Sequence, residues 1–462
     1  MKKNDNYINF LSVGFAEAIG LGICCVFSAY PVFSVLSMIC VAFWFVFLWF
    51  VYRGLYIKYF SVVFGVIATI MGIAIVEFDR LFMINLQQWT AFKGSLPLLV
   101  FCNWLFTFSL IIFEKDIAWT RSVRKPERQN IPKRKKSTIK YFTILSLCIN
   151  LFLFVRVIRY PAFVMHIDRF TYERMVNYRS GIGRLLVALS NYLIIVNLAA
   201  IKHGYRRLGL AATVTYLLFS FWVGNKFGTF FSIFYIVLLF FYDQINYLIK
   251  KYVRYVFITG VAMVILVLIA VNIQTNISSG FGKGEYLKWR LACEGELWWR
   301  TYDLFHCKAH ISEFSNELIA VFNGKDSIAM NVGSNNGIYK MMYLCAPKER
   351  VDRVIASGSR YCAAAFPAMN YYFGVIGPII FSIIMGYFFS RLINGLLSDI
   401  REERYLRAII LTRLLAVLRE VFDQFVFYQL VEMATILSII FLIITVYRKF
   451  RIVSCRRTLM NI

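Results

Sequence analysis

The chain is built around runs of about 17–24 residues that carry almost no charge, each long enough to cross the ~30 Å hydrocarbon core of a bilayer as one helix. These runs fall at 7–28, 31–51, 59–76, 96–113, 141–157, 185–201, 208–223, 227–242, 256–273, 366–389, 405–421 and 425–446. In lipid, backbone amides find no water, so each run must close its hydrogen bonds internally. The expectation is an all-α polytopic membrane protein of about twelve transmembrane helices. Only 16% of the 462 residues are charged and 60% are hydrophobic, against roughly a quarter charged in soluble domains. Disordered, collagenous and disulfide-stapled secreted classes are excluded.

An even number of spans puts both termini on one side. The basic ends at Lys2, Lys3, Arg448, Lys449, Arg451, Arg456 and Arg457 make that side cytoplasmic. The same rule accounts for much of the formal net charge of +26 without invoking nucleic acid. Three regions follow: 1–275 with nine spans, 276–365 as one large external loop, and 366–462 with three spans and a basic tail. Within the first, the linker 114–140 contains Arg124-Lys125-Pro126-Glu127-Arg128 and Pro132-Lys133-Arg134-Lys135-Lys136, a cluster suited to anionic lipid headgroups. The first apolar run is too long for a signal-peptide core and reads as a retained span. No six-helix internal repeat and no low-complexity tract is seen.

Two external segments stand out. The stretch 156–184 holds six Arg (Arg156, Arg159, Arg169, Arg174, Arg179 and Arg184), no Lys, and two carboxylates, Asp168 and Glu173. It is basic on the side where a short loop is ordinarily poor in positive charge. Planar guanidinium forks grip phosphate in a bidentate way that an ammonium does not, so this loop fits either an anionic substrate or pairing with its own carboxylates and lipid. The second segment, 276–365, is long enough to form a helical cap, with helix-forming stretches at 285–314 and 337–354. Gly280-Phe281-Gly282-Lys283-Gly284 follows no strand and reads as a flexible exit from the ninth span rather than a phosphate loop.

Ionisable groups inside spans are costly and ordinarily face a cavity or a partner. Arg413 lies mid-span, with Arg419 and Glu420 near the outer end of the same run; Glu17 and Glu432 are in the first and last. Two readings stand open: Arg413 pairs internally with Glu432 or Glu17, or it lines the floor of an anion-binding cavity. His306 and His310 bracket Cys307 at i, i+4 without further ligands nearby, so they read as surface histidines, and no metal is expected. There is no nucleotide loop and no nucleophile elbow.

The whole pattern resembles the Wzy-type O-antigen and capsule repeat-unit polymerases of bacterial inner membranes. The resemblance rests on the span-and-loop architecture, the Arg-rich loop 156–184, the junction Gly224-Asn225-Lys226-Phe227-Gly228, and the stretch Phe366-Pro367-Ala368-Met369-Asn370-Tyr371-Tyr372-Phe373-Gly374-Val375-Ile376-Gly377-Pro378 after the long loop. The Arg-to-Gly spacing described for some members is missed by one residue between Arg169 and Gly181. The resemblance implies a metal-independent, cofactor-free glycosyltransferase that moves a growing glycan from its polyprenyl diphosphate to a hydroxyl of the next lipid-linked repeat unit. It implies membrane lipids, a chain-length regulator and a flippase as partners. The leaving diphosphate calls for Arg, for which Arg156, Arg159, Arg169, Arg174, Arg179, Arg360, Arg413 and Arg419 are the candidates. The acceptor hydroxyl calls for a base, with His166, Asp168 and Glu173 as candidates. Trp298, Trp299, Tyr302 and Tyr361 serve either as sugar platforms or as the core of the cap. An O-antigen ligase shares spans, loop and donor. A lipid-linked oligosaccharide flippase shares the basic cavity but is commonly built from repeated halves, which the lone large loop argues against.

Four of the ten cysteines, Cys293, Cys307, Cys345 and Cys362, fall in the large loop, an oxidising location under this topology. Cys293 and Cys307 would be ~21 Å apart on one continuous helix, so bridges between the two halves of the loop are expected.

Overall fold

A computed structural model of the chain describes residues 2–52, 54–114, 133–162, 165, 169–178, 181–224, 227–251, 283–305, 308–322, 337–357, 359–432 and 435–444. The described chain is almost wholly helical. In order run α1 (Lys2–Val26), α2 (Pro31–Val51), α3 (Gly54–Lys58), α4 (Phe60–Phe78), α5 (Leu96–Ile112), α6 (Lys133–Val157), α7 (Arg169–Val176), α8 (Ile182–Lys202), α9 (Arg206–Trp222), α10 (Phe227–Phe240) and α11 (Tyr242–Lys251). Then follow α12 (Lys283–Ala292), α13 (Glu296–Phe305), α14 (Ile311–Phe322), α15 (Gly337–Cys345), α16 (Lys348–Ala356), α17 (Ala365–Phe373), α18 (Ile376–Arg401), α19 (Tyr405–Gln424), α20 (Tyr428–Val431) and α21 (Thr435–Ile444). Between α4 and α5 a two-residue antiparallel ladder pairs Phe82 with Trp89 and Met83 with Gln88.

Six of these helices are apolar and long enough to cross a bilayer: α1, α2, α4, α6, α8 and α18. Their outward faces carry large apolar side chains such as Phe15, Val32, Phe50, Val155 and Ile380, all at least half exposed, as lipid-facing surfaces are. The chain is an α-helical membrane protein. Shorter apolar helices occur at α5, α21 and within α10, while the expected span at 256–273 lies outside the described residues.

Two expected spans are differently built. The run 366–389 is broken at Gly374, whose φ of +62° ends α17 and lets the chain re-enter a helix at Ile376. The long apolar helix is therefore Ile376–Arg401, and α17 packs with α13, α14 and α15. The run 425–446 is likewise divided: Phe425 caps α19 in the left-handed region, α20 follows, and α21 resumes at Thr435.

Packing falls into two lobes joined by α18 and α19. In the first, α1 and α2 lie on α5 through Phe10, Trp44, Trp104 and Phe108, with Trp44 Nε1 donating to Thr107 Oγ1 at 3.0 Å. In the second, α6, α8 and α9 cross closely. Asn150 Nδ2 donates to Ala212 O at 3.0 Å, and Gly209 lets the backbone of Asn197 approach. Between the lobes, Phe106, Phe389 and Phe422 interlock α5, α18 and α19.

Polar contacts collect at two ends of this bundle. At one end the ion pair Lys58–Glu114 meets Asn394, Arg401 grips Asp243 with two bonds of 2.8 and 2.9 Å, and His203 meets Tyr405 at 2.6 Å. At the other end Lys288 pairs with Asp79 at 2.9 Å, Lys93 with Asp303 at 2.8 Å, and Asn85 Nδ2 donates to Glu296 at 2.7 Å. The helices drawn from 276–365 gather at this second end. Trp298 and Trp299 are buried there, with their indole N–H groups donating to Ser95 O and Ala91 O. Tyr361 is buried with its hydroxyl on Asn85 O. These aromatics are core, with Tyr302 beside them, which answers the alternative left open by sequence. The turn 293–295 presses onto α4 because neither partner has a side chain in the way: a Cβ on Gly295 would sit 2.4 Å from Ile73 N, and one on Gly72 would sit 2.4 Å from Leu291 O.

The expected staple between the halves of the loop is not made by the described thiols. Cys293, Cys345 and Cys362 are free, and Cys307 lies outside the described residues. Each thiol instead contacts another side chain: Asn85 Nδ2 at 3.8 Å, Thr301 Oγ1 at 3.3 Å and Arg290 Nη1 at 3.3 Å, respectively. Burial pushes Cys345 and Cys362 up to about 12 and raises Cys293 as well, which suppresses the thiolate needed for exchange. Alkylation of denatured, unreduced protein should label all three; a linked peptide pair in the mass spectrum would contradict this arrangement.

Candidate functional site

The end of α19 carries two ion pairs, one within the helix at i, i+4 and one to the segment that precedes α17. Arg419 Nε donates to Asp423 Oδ2 at 3.2 Å, one helical turn on. Glu420 Oε2 accepts from Arg360 Nη2 at 3.0 Å. The irregular segment 359–364 is tied to the same helix end by Ala364 N donating to Asp423 O at 2.9 Å, and Arg290 of α12 reaches it at Cys362. All four side chains of the two ion pairs remain a little over a third exposed, 37–39%, so water reaches this rim.

Below the rim is a narrow cleft lined by Gly65, Val66 and Thr69 of α4, Asn103 of α5, Ala363, Ala365 and Phe366, and Phe422 and Asp423 of α19. Its closed part is only about 20 Å³, room for one water. Asn103 is seven residues into α5, so the cleft descends roughly 10 Å into the bundle. Non-helical backbone at such depth is tolerated where it lines a cavity, and segment 359–364 does so. Its Ala363 has φ +50°, in the left-handed region that non-glycine residues rarely occupy, and such strain persists where surrounding structure enforces it.

Two polar groups in the cleft are chemically unusual. Asp423 lies two residues beyond the apolar run 405–421, and the protein packed round it raises its carboxyl above the ordinary aspartate range, an effect moderated by the 39% of the side chain that stays exposed to water. Arg419 opposes that shift by charge and hydrogen bond, while Glu420 and Glu294 reinforce it. Asn103 is 1% exposed; its Nδ2 donates to Leu99 O at 3.0 Å, whereas its Oδ1 has no hydrogen-bond partner among the described residues. A buried acceptor left open costs about 1–3 kcal/mol, and the space beside it is no larger than one water.

Of the expected site residues, Arg360 and Arg419 are brought together at this rim. Arg413 is placed elsewhere: its Nη2 meets Glu432 Oε2 at 2.5 Å and Thr435 Oγ1 at 3.4 Å, and its Nη1 meets Tyr192 OH at 3.3 Å. Of the readings left open for Arg413, the internal pairing with Glu432 is the one formed. Glu17 is buried in α1 with its Oε2 unpartnered among the described residues. Arg156 is exposed, with Nη1 3.4 Å from Tyr178 O, and Arg159 is exposed. Both lie at the end of the α6–α8–α9 lobe, where α7 carries Glu173, half-buried, with Arg169 and Arg174 in the same helix. No hydrogen bond or ion pair among the described residues joins this loop to the cleft. His166, Asp168 and Arg179 lie outside the described residues. Asp423, Asn103 and Arg290 were not singled out by sequence.

Among the described residues no three His, Cys, Asp or Glu side chains converge as a metal set. His310 stacks on Tyr371 with centroids 4.4 Å apart. A family of unknown function, DUF6418, matches residues 331–439, a stretch that contains Arg360, Phe366, Arg419 and Asp423 and so most of the cleft. No curated protein and no solved structure matches the chain.

Proposed function

We propose that the protein is an integral-membrane glycosyltransferase that polymerises polyprenyl-diphosphate-linked oligosaccharide repeat units. The reaction is placed on the periplasmic face of the bacterial inner membrane, and both termini are placed in the cytoplasm. The observation that supports this most is the cleft at one end of the helical bundle. There Arg360 and Arg419, each steadied by a carboxylate, stand over an apolar-walled cavity with polar groups at its rim and floor.

The donor has a greasy tail, a diphosphate and a glycan, and the cleft offers a surface for each. Lipid-exposed helix faces adjoin it, arginine forks are at its mouth, and Asp423 at the rim can hydrogen-bond a sugar hydroxyl. Charge develops on the diphosphate oxygen as the glycosyl bond breaks, and preorganised guanidinium groups stabilise that charge more than they stabilise the ground state. Arg419 spends its Nε on Asp423 and Arg360 spends one Nη on Glu420, which leaves further N–H groups of each fork for phosphate oxygens.

Deleting the gene and examining the surface glycan tests this reading. Loss of a polymerase leaves single repeat units attached to their anchor, and the ladder of longer chains disappears. If no glycan at all reaches the anchor, the protein is instead the ligase that uses the same donor. An unchanged ladder overturns both.

A further inference from the structure

We infer that α14 is an interfacial helix whose Ile311, Leu318 and Ile319 face lies in the boundary between headgroups and acyl chains, in the leaflet at the cleft end of the bundle. Lipid as well as protein then holds the helices of 276–365 in place. The inference is independent of the glycosyltransferase reading. α14 has 12 residues and rises about 18 Å, too short to cross a ~30 Å hydrocarbon core. It is nevertheless the wrong way round for a helix in water. Ile311, Leu318 and Ile319 are 63%, 40% and 56% exposed, and at spacings of seven and eight residues they share one face. The other exposed positions among its described residues, Ser312, Ser315 and Asn316, carry no charge.

Both carboxylates of α14 are engaged by the protein instead. Glu317 is 2% exposed; its two oxygens accept from Gly337 N at 3.0 and 2.9 Å, and Tyr372 OH donates to it as well. Glu313 accepts from Lys340 Nζ at 2.6 Å and from Tyr371 OH at 2.9 Å. Phe314 between them packs on Tyr372 and Phe373. A helix that commits its charges to the protein and shows isoleucine and leucine outward has the polarity expected where the outer medium is hydrocarbon.

The neighbouring elements identify that medium. α14 packs on α20, the short helix from which the chain enters α21. Leu430 of α20 is 40% exposed, and α21 bears an exposed apolar row, Leu437, Ile440 and Ile444. The apolar face of α14 therefore continues the lipid-facing surface of the last helix. Lys308, exposed just before α14, is placed to reach a phosphate headgroup while its stem lies along the apolar surface. Through Glu313 and Glu317 the hold passes to α15 and α17, and α17 begins with Ala365 and Phe366 of the cleft wall.

The test uses full-length protein in nanodiscs of phosphatidylethanolamine and phosphatidylglycerol. Photoreactive benzoylphenylalanine is placed at Leu318 or Ile319 and, for comparison, at Glu349, which is exposed on α16. After irradiation, mass spectrometry should find phospholipid adducts on the α14 peptides and none on the α16 peptide. Hydroxyl-radical footprinting of the unaltered protein gives a second measurement that needs no variant: Leu318 and Ile319 should be labelled as weakly as Leu437 and Ile440. A cross-link from position 318 or 319 to a second copy of the chain, or to another protein, would make this face a protein interface and overturn the inference. Labelling of Leu318 and Ile319 several-fold faster than Leu437 and Ile440 would place the face in water and overturn it too. So would the absence of lipid adducts from α14 in protein that elutes from gel filtration like wild type.

Discussion

Replacing Lys58 with methionine is expected to destabilise the protein by about 3–5 kcal/mol, because it strands a buried carboxylate. Lys58 and Glu114 are 4% and 2% exposed at their side chains, at the end of the bundle opposite the cleft. Lys58 Nζ also donates to Asn394 Oδ1 of α18, and Glu114 accepts from Tyr52 OH at 2.6 Å and Tyr59 OH at 3.4 Å. One ion pair thus ties the α3 segment, the end of α5 and the middle of the α18 carboxyl-terminal half. Two charges brought out of water repay their desolvation only while both are present. The double change Lys58→Met with Glu114→Gln removes both charges and should recover much of the loss. Free energies from SDS-induced unfolding of the purified protein check this: a Lys58→Met variant within 1 kcal/mol of wild type would show that water reaches Glu114 and that the pair is not a structural lock.

Arg419→Ala should lower polymer formation by about 10²-fold or more, the usual loss when one donor to a developing oxyanion is removed. Arg419→Lys should restore only part of it, since an ammonium cannot bond Asp423 and a phosphate oxygen in the planar geometry of a guanidinium. Initial rates of polymer formation by wild type and the two variants measure this. Equal rates for lysine and arginine at position 419 would mean that charge alone, and not a bidentate fork, serves the donor.

Of the two arginines of the rim, Arg419 was legible because it is a charge near the end of an apolar run. Arg360 stands just before another such run, in a long loop where basic residues carry no such signal. Asp423 gave no such signal. In sequence it is one acidic residue beyond a span, and only contact with Ala364, 59 positions earlier in the chain, places it in a cavity wall. Asn103 was hidden more completely, since an amide inside an apolar run reads as a tolerated polar residue. Its importance lies in which of its atoms lacks a partner, a property of the assembled bundle. The Arg-rich loop 156–184 was the loudest signal outside the apolar runs, yet its described part is at the end of a different lobe from the cleft.

The sequence by itself determined that this is a helical membrane protein, because runs of uncharged residues in lipid have no other way to satisfy their backbone. For Arg413 it left two readings open, an internal pair with Glu432 or Glu17 and a place in an anion cavity. What only the tertiary structure decided is where helices stop and what their ends face. Gly374 ends α17 at a positive φ within a stretch that hydropathy reads as continuous, so the apolar helix begins ten residues later than the apolar run. The cysteines were placed by composition in one loop, but whether two sulfurs meet depends on the packing of α12, α13 and α15 about α4 and α5, and there each described thiol finds a different neighbour. Hydropathy is local and additive along the chain, whereas a cleft is a relation among residues on three or four helices. The chemistry of Asp423 follows from how much protein surrounds it, which no pattern of neighbours in sequence records.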